Sequence, residues 1–225
     1  MSEQRKRKRK KRWGLRIFLG LLAVLVLTVG SYVYSVYRNL SKTTDTIYTP
    51  VETQPVREAG VDLTQQTPIS ILLMGIDNGA EGRTEAGRSD SMIVVTINPK
   101  TQTTAMVSIP RDTFSEIVGN DTYDKINHAY WFGGAEMAIN TVQKLLGIPI
   151  DYYASINMEG LKQMVDAVGG ITVNSPLAFT SRGYTFVEGS NQMNGEAALA
   201  FSRMREEDPT QDTGRQDRQR LVIEA

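Results

Sequence analysis

The 225-residue chain has no cysteine and one histidine, His128. Without cysteine there is no disulfide framework, so the folded part must be held by its apolar core alone. The same two counts leave no zinc-type ligand set. Neither the Gly-x-x-x-x-Gly-Lys-Ser/Thr loop of nucleotide triphosphatases nor a Ser-His-Asp arrangement is found, and no internal repeat. Two further absences are local. No residue from Ile17 to Tyr37 is charged, and residues 203–220 carry five arginines but no lysine.

The first gap has the dimensions of a membrane span. Its 21 residues make a helix of roughly 31 Å, against a hydrocarbon core of about 30 Å. Every residue from Arg5 to Arg12 is Lys or Arg. Positive charge stays inside, so residues 1–16 are expected to be a basic cytoplasmic tail, 17–37 a transmembrane helix, and everything after Arg38 extracellular. Trp13, Tyr32, Tyr34 and Tyr37 stand where interfacial aromatic belts belong. The basic block alone also suits a nuclear signal or a nucleic-acid patch, but it abuts the span. A cleaved signal peptide has a shorter apolar region of about 7–15 residues, so an uncleaved anchor in the cell membrane is the expectation. The formal net charge of zero conceals this asymmetry, because the first sixteen residues hold nine of the 25 bases and one acid.

Residues 38–68, rich in Ser, Thr, Gln and Pro, are too polar to pack by themselves and read as a stalk or linker. The domain proper is residues 69–225. Ile69 to Met74, Met92 to Ile97 and Thr104 to Ile109 are short β-branched runs, the last two joined by the turn Asn98-Pro99-Lys100-Thr101 as an antiparallel hairpin. Apolar residues recur at helical spacing from Gly134 to Leu146, with Gly147 and Pro149 as stops. Strand 152–156, helix 159–168 and strand 171–173 continue the alternation, which predicts a sheet covered by helices on its faces. Two last helices are expected from Gly195 to about Met204 and from about Thr213, where Thr213 and Gln216 have capping-box spacing.

Functional weight falls on the loops. Asp77 follows the first strand and Gly87-Arg88-Ser89-Asp90 precedes the second, with Gly79 and Gly82 between. Two carboxylates at adjacent strand edges can share Mg2+, which takes one or two protein carboxylates when substrate phosphates supply the rest. Two solvated loop acids are the alternative. His128, alone after Asn127, reads as a surface or supporting group. Arg111 and Asp112 leave a strand behind Pro110. Arg203, Arg205, Arg215, Arg218 and Arg220 follow, and guanidinium forks bind phosphate bidentately where lysine offers a point charge. Arg215 and Arg218 fall in the first turns of a helix, where the macrodipole disfavours cations by about 0.3–1 kcal/mol unless an anion binds there. A charge-laced exposed helix, with Glu206, Glu207, Asp208, Asp212 and Asp217 as partners, is the alternative. A divalent ion on one wall and arginines on the other describe a pocket for a pyrophosphate.

The segments Ile71-Leu72-Leu73-Met74-Gly75-Ile76-Asp77, Gly87-Arg88-Ser89-Asp90-Ser91-Met92, Ser108-Ile109-Pro110-Arg111-Asp112-Thr113, Lys125-Ile126-Asn127, Arg203-Met204-Arg205 and Gly214-Arg215-Gln216-Asp217-Arg218-Gln219 together resemble the LytR-CpsA-Psr family. The resemblance covers residues 69–225. It implies a three-layer α-β-α sandwich of α/β class with a mixed central sheet, preceded by one transmembrane helix. It also implies a hydrophobic pocket for a polyprenyl chain.

The implied activity is transfer of teichoic acid, capsular or other anionic glycan from a polyprenyl-pyrophosphate carrier to a peptidoglycan acceptor in Gram-positive cells. By the same resemblance Asp77 and Asp90 bind Mg2+, or Mn2+ in its place. Arg88, Arg111, Arg203, Arg205, Arg215 and Gln219 bind the pyrophosphate, with Arg218 as a neighbour and Lys125 beside them. Arg88, Asp90 and Arg111 are the expected catalytic groups, and a metal-bound Asp90 is a poor proton acceptor. Domains of the family run some tens of residues past the last arginine motif, so a truncated C-terminal end is expected. The rival classes are a non-catalytic binder of wall polymer or lipid pyrophosphate and a membrane-bound transcriptional regulator; no nucleic-acid partner is expected.

Overall fold

The computed structural model describes residues 18–22, 24–25, 27–35, 38, 51, 53, 56–57, 60–77 and 87–225. The basic tail, Trp13, Tyr37, most of the stalk before residue 60 and the glycines at 79 and 82 lie outside the described residues. The chain divides into two units, Met1–Pro50 and Val51–Ala225.

In the first unit, helix α1 (Phe18–Ser35) is long and apolar enough to cross a membrane once. Its described side chains are exposed all round, including Leu21, Val24, Leu27, Tyr32 and Tyr34. Such a surface is stable in lipid rather than in water. The Thr28 hydroxyl donates to the Leu25 carbonyl at 2.9 Å, so this polar group is satisfied inside the helix, as hydrocarbon requires.

In the second unit, strand β1 (Ile69–Ile76) alternates half-buried and buried positions along its whole length. It pairs antiparallel with β2 (Ser89–Asn98), which pairs antiparallel with β3 (Thr103–Ile109), giving the expected hairpin. On its other side β1 runs parallel to β6 (Tyr152–Asn157). The result is a mixed sheet in the order β3-β2-β1-β6. Between β3 and β6 lie a small hairpin, β4 (Phe114–Ile117) with β5 (Thr122–Lys125), and helix α2 (His128–Leu146). One sheet face, carrying Leu72, Met74, Met92 and Val94, packs with Ala138, Ile139 and Val142 of α2. The helix starts six residues before the expected Gly134, because the chain passes through Gly133 and Gly134 as a kink and not as a start.

The rest of the unit builds a second core. It comprises α3 (Met158–Ala167), β7 (Ile171–Ser175), β8 (Phe179–Ser181), β9 (Tyr184–Phe186), β10 (Gly189–Met193), α4 (Gly195–Arg203) and α5 (Asp212–Glu224). Phe179, Phe186 and Phe201 close its centre, with ring centroids 4.8–5.5 Å apart. Arg220 of α5 donates to the Ser108 hydroxyl of β3 at 3.1 Å. Ser108 is out of step with Ile109, which belongs to the α2 core, so α5 lies across the opposite sheet face and the architecture has three layers.

Two expectations differ from what forms. Strand β7 does not extend the central sheet; it pairs with β10 in a separate two-stranded sheet. Gly169 and Gly170, at φ 84° and 92°, turn the chain there, and a side chain on Gly170 would meet the Met193 carbonyl at 2.9 Å. The capping box at Thr213 does not form. Helix α5 begins at Asp212 behind Gln211, whose φ of 49° turns the chain without a side-chain cap.

Candidate active site

The chemistry-bearing loops meet at one end of the central sheet. Asp77 follows β1, and its amide donates to the Arg88 carbonyl at 2.9 Å, which holds these two residues together. Register then places Asp90. Gly75 pairs with Ser91 while Ile76 pairs with Ser89, which leaves Asp90 as the extra residue of a bulge. A bulge bends its strand and re-aims the side chain. Asp90 accepts a hydrogen bond from Arg111 at 3.0 Å. Arg111 occupies a turn after β3 closed by Thr113 N–H to the Pro110 carbonyl, and the Asn127 amide donates to the Arg111 carbonyl at 3.2 Å.

Asp77, Gly87, Arg88, Asp90 and Arg111 therefore line one cleft of about 460 Å³, joined by Asp112, Lys125, Asn127, His128 and Trp131. Lys125 pairs with Asp112 at 2.7 Å. The Arg88 guanidinium lies 5.8 Å from the centre of the Trp131 ring, within cation-π range. Among the described residues no three His, Asp or Glu converge as a full protein metal cage. The donor set suits instead a cation that takes one or two carboxylates and completes its shell from substrate oxygens.

Arg215 joins from α5. Its side chain is 12 % exposed and pairs with Asp212 at 2.5 Å. Burial pushes its guanidinium down; Asp212 and Asp90 pull it up, while Arg111 and Arg205 push it down again. Arg111 feels burial too, but Asp90, Asp112 and Asp212 outweigh it and hold it above its ordinary value. These effects place Arg111 and Arg205 each within electrostatic reach of Arg215. Nε of Arg111 and Nε of Arg215 are both buried without a hydrogen-bond partner. Buried unpaired donors are costly, and cations held close together are costlier, unless an anion fits between them. The contact anticipated for a merely charge-laced helix, Arg215 with Asp212, is also made.

Not every expected arginine reaches the cleft. Arg205 is exposed. Arg203 is exposed at the end of α4, against the sulfur of Met158. Gln219 is partly exposed on α5. Arg218 is a correction. It is fully buried, donating to the carbonyls of Phe201 (3.2 Å) and Met204 and forming an ion pair with Asp208. Enclosed in this way, it presents no N–H group to a phosphate in the cleft. Burial alone would push the Asp208 carboxyl up, but hydrogen bonds from Thr210 and Arg218 outweigh it and hold it below the ordinary 3.8. Gly214 lets the pair form, since a side chain there would overlap the Asp208 carboxylate. Arg220, bonded to Ser108 and Asp217, is likewise a link between layers.

Comparison with known proteins shows the family. The LytR_cpsA_psr family model matches residues 31–225. The chain belongs to the LytR-CpsA-Psr family. The Polyisoprenyl-teichoic acid--peptidoglycan teichoic acid transferase TagU of Bacillus licheniformis is 48% identical over 223 residues, 99% of this chain and 71% of that protein. The crystal structure of B. subtilis TagU is 52% identical, with a TM-score of 0.60 over 69% of this chain and 63% of that one. The chain thus spans less than two thirds of that solved relative. LytR-CPS2A-psr family protein YwtF (TagT), with bound octaprenyl pyrophosphate lipid, is 30% identical, with a TM-score of 0.65 over 79% of this chain and 72% of that one.

Within this LytR-CpsA-Psr domain, sequence reading missed Trp131 as a neighbour of the site and gave His128 no more than a surface or supporting place. Trp131 lies three residues beyond His128 on the first turn of α2, and that spacing becomes a signal only once the helix is known to start at His128. The buried pair provides a test of what holds the arginine segment. Arg218→Ala strands the Asp208 carboxylate and should cost about 3–5 kcal/mol, whereas Arg218→Leu combined with Asp208→Leu should recover much of that. Urea unfolding of the three proteins reads both values; a single-variant loss below about 1 kcal/mol would remove the pair from this role.

Proposed function

We propose that this chain transfers a phosphate-linked wall glycopolymer, of the teichoic acid kind, from a polyprenyl-pyrophosphate carrier to peptidoglycan. The observation that carries the reading is the pair of buried Nε donors without a hydrogen bond on Arg111, which lines the cleft with Asp77 and Asp90, and on Arg215, within electrostatic reach of Arg111 and Asp90; the Asp112 carboxylate stands 3.7 Å from the first. Such a site is incomplete without a compact, multiply charged anion, and a pyrophosphate supplies one. The names of the relatives support the same carrier and acceptor. For the apolar chain, the sheet face opposite α2 offers Ile71, Leu73 and Val95, each only partly covered. The basic N-terminal block puts residues 1–16 in the cytoplasm and residues 69–225 outside, where peptidoglycan is met. A periplasm-type reporter enzyme fused after Ala225 should be active; an active cytoplasmic reporter at the same position would reverse this topology.

The reaction is a displacement at phosphorus. An acceptor hydroxyl attacks the phosphoryl group nearer the glycan and polyprenyl phosphate leaves. Arg111 and Arg215 would hold the pyrophosphate oxygens and stabilise charge that builds on them, with Arg88, Arg203, Arg205 and Gln219 along the rim. Asp77 and Asp90 would hold Mg2+ or Mn2+, which when bound neutralises phosphate charge. The hydrogen bond from Arg111 to Asp90 holds that guanidinium beside the acids that would bind the cation.

Incubation with an octaprenyl-pyrophosphate-linked sugar, Mg2+ and peptidoglycan should give covalent product, and its absence would leave only a binder. Asp90→Ala should abolish Mg2+-dependent product formation while shifting stability by less than about 0.5 kcal/mol. Product formation by Asp90→Ala at low Mg2+ would take Asp90 out of the metal site. Arg215→Ala should weaken octaprenyl pyrophosphate affinity by about 1.5–3 kcal/mol, the scale of a hydrogen bond to a charged group. Arg215→Lys should restore part of that, since the charge returns without the fork. Isothermal titration with the three proteins decides it, and intact affinity in Arg215→Ala would sink the assignment.

A further inference from the structure

The transfer described above requires the acceptor hydroxyl to lose a proton, and the carboxylates closest to hand are poorly suited to take it. Asp90 is tied to Arg111 and reads as a metal ligand. Asp112 is tied to Lys125 at 2.7 Å. Asp77 reads as the second metal ligand, which leaves one other candidate among the described residues that line the cleft. His128 opens α2 and lines the same cleft. Its neighbour Asn127 is bonded through its amide to the Arg111 carbonyl, which fixes His128 beside the arginine turn.

The ring of His128 is held on several sides. Its Nδ1 lies 2.7 Å from Oδ2 of Asp124. Trp131 and Phe132 meet it edge-on, at 6.4 and 6.1 Å between centroids. The hydrogen bond from His128 is the largest of the influences that hold the Asp124 carboxyl below its ordinary range, so Asp124 is an ionised acceptor. An ionised carboxylate cannot donate, hence Nδ1 carries the proton and in the neutral ring Nε2 carries a lone pair. An imidazole oriented by a carboxylate through Nδ1, with Nε2 free to accept, is the arrangement of a general base. The side chain keeps 20 % exposure, enough for a hydroxyl to reach it from the cleft.

We infer that His128, oriented by Asp124, is the general base that accepts the proton of the attacking hydroxyl. The inference rests on the transferase reading. In the step, the hydroxyl oxygen forms a bond to the phosphorus nearer the glycan and its proton passes to Nε2. The bond from that phosphorus to the bridging oxygen breaks, and polyprenyl phosphate departs with the electron pair. His128 then returns the proton to solvent or to the leaving phosphate. Besides Asp124, the charged groups sharing the cleft wall are Asp77, Arg88, Asp90, Arg111, Asp112 and Lys125.

The test is a pH series of single-turnover transfer by the full chain in detergent, with an octaprenyl-pyrophosphate-linked sugar and a peptidoglycan oligosaccharide. The wild-type rate should fall towards acid pH as a base of this kind is protonated. His128→Gln should lower the rate by about 10²–10⁴-fold and abolish that acid limb, with octaprenyl pyrophosphate affinity and melting temperature kept. Asp124→Asn should retain the limb at an intermediate rate, because the base survives without its orienting carboxylate. A His128→Gln enzyme within threefold of wild type, or one with the same acid limb, overturns the assignment. So does a variant whose rate loss is matched by lost affinity and melting temperature, the mark of a supporting role alone. No transfer by the wild-type chain would remove the transferase reading, and the base with it; transfer by wild type and His128→Gln alike removes the base only.

Discussion

A buried ion pair far from any substrate sets the geometry of the arginine segment. Arg218 and Asp208 are both buried, and Arg218 spends its remaining donors on the carbonyls of Phe201 and Met204. Those carbonyls lie at the end of α4, the acid lies in the following loop, and the arginine lies on α5. One side chain thus ties three consecutive pieces of chain, and every segment that carries Arg203, Arg205 and Arg215 is fixed by it. A buried pair gives little net stability, but a half-broken one is costly. The constraint is therefore one of geometry more than of overall stability.

That rigidity is what allows like charges to be kept together. Arg111 comes from the turn after β3 and Arg215 from α5, two elements on different parts of the fold, and each raises the cost of charging the other. Flexible side chains in water would separate. Here burial, Asp90 and Asp212 hold them in place, and the two Nε donors left without a hydrogen bond are the residue of that compromise. On the proposed reading, a pyrophosphate would relieve both the repulsion and the missing bonds. The same logic explains why Asp90 sits on a bulge, where a regular strand would send its side chain along the pleat.

The N-terminal turn of α2 adds a different kind of group. Its His128, Trp131 and Phe132 are anchored by Asn127 to the arginine turn and by Asp124 to the small hairpin of β4 and β5. On the proposed reading, the phosphate-holding cations and the proton-accepting imidazole come from separate elements, each with its own support. Charge stabilisation and proton transfer can in that way be tuned independently, which a single carboxylate serving as metal ligand and base could not achieve.

Much of this was legible in the residues themselves, wherever the physics is local. Hydrophobic period, turn residues and Gly stops located β1, β2, β3, β6, α3 and α4 to within a few residues, because burial of one face dictates their spacing. The uncharged 21-residue stretch and the family motifs were equally local, as was the surplus of arginine over lysine. Sequence could not tell which arginine faces a ligand and which is interior, since Arg215 and Arg218 are three residues apart and identical in type. Only packing separates them: Gly214 brings α5 against Asp208, and that contact draws Arg218 inward while Arg215 keeps 12 % exposure within electrostatic reach of Arg111. Likewise the lone His128 carried no signal until folding brought Asp124, one turn back, to its Nδ1. Pairing across long sequence separations, β1 with β6 and Arg111 with Arg215, is a property of the closed fold and of nothing shorter.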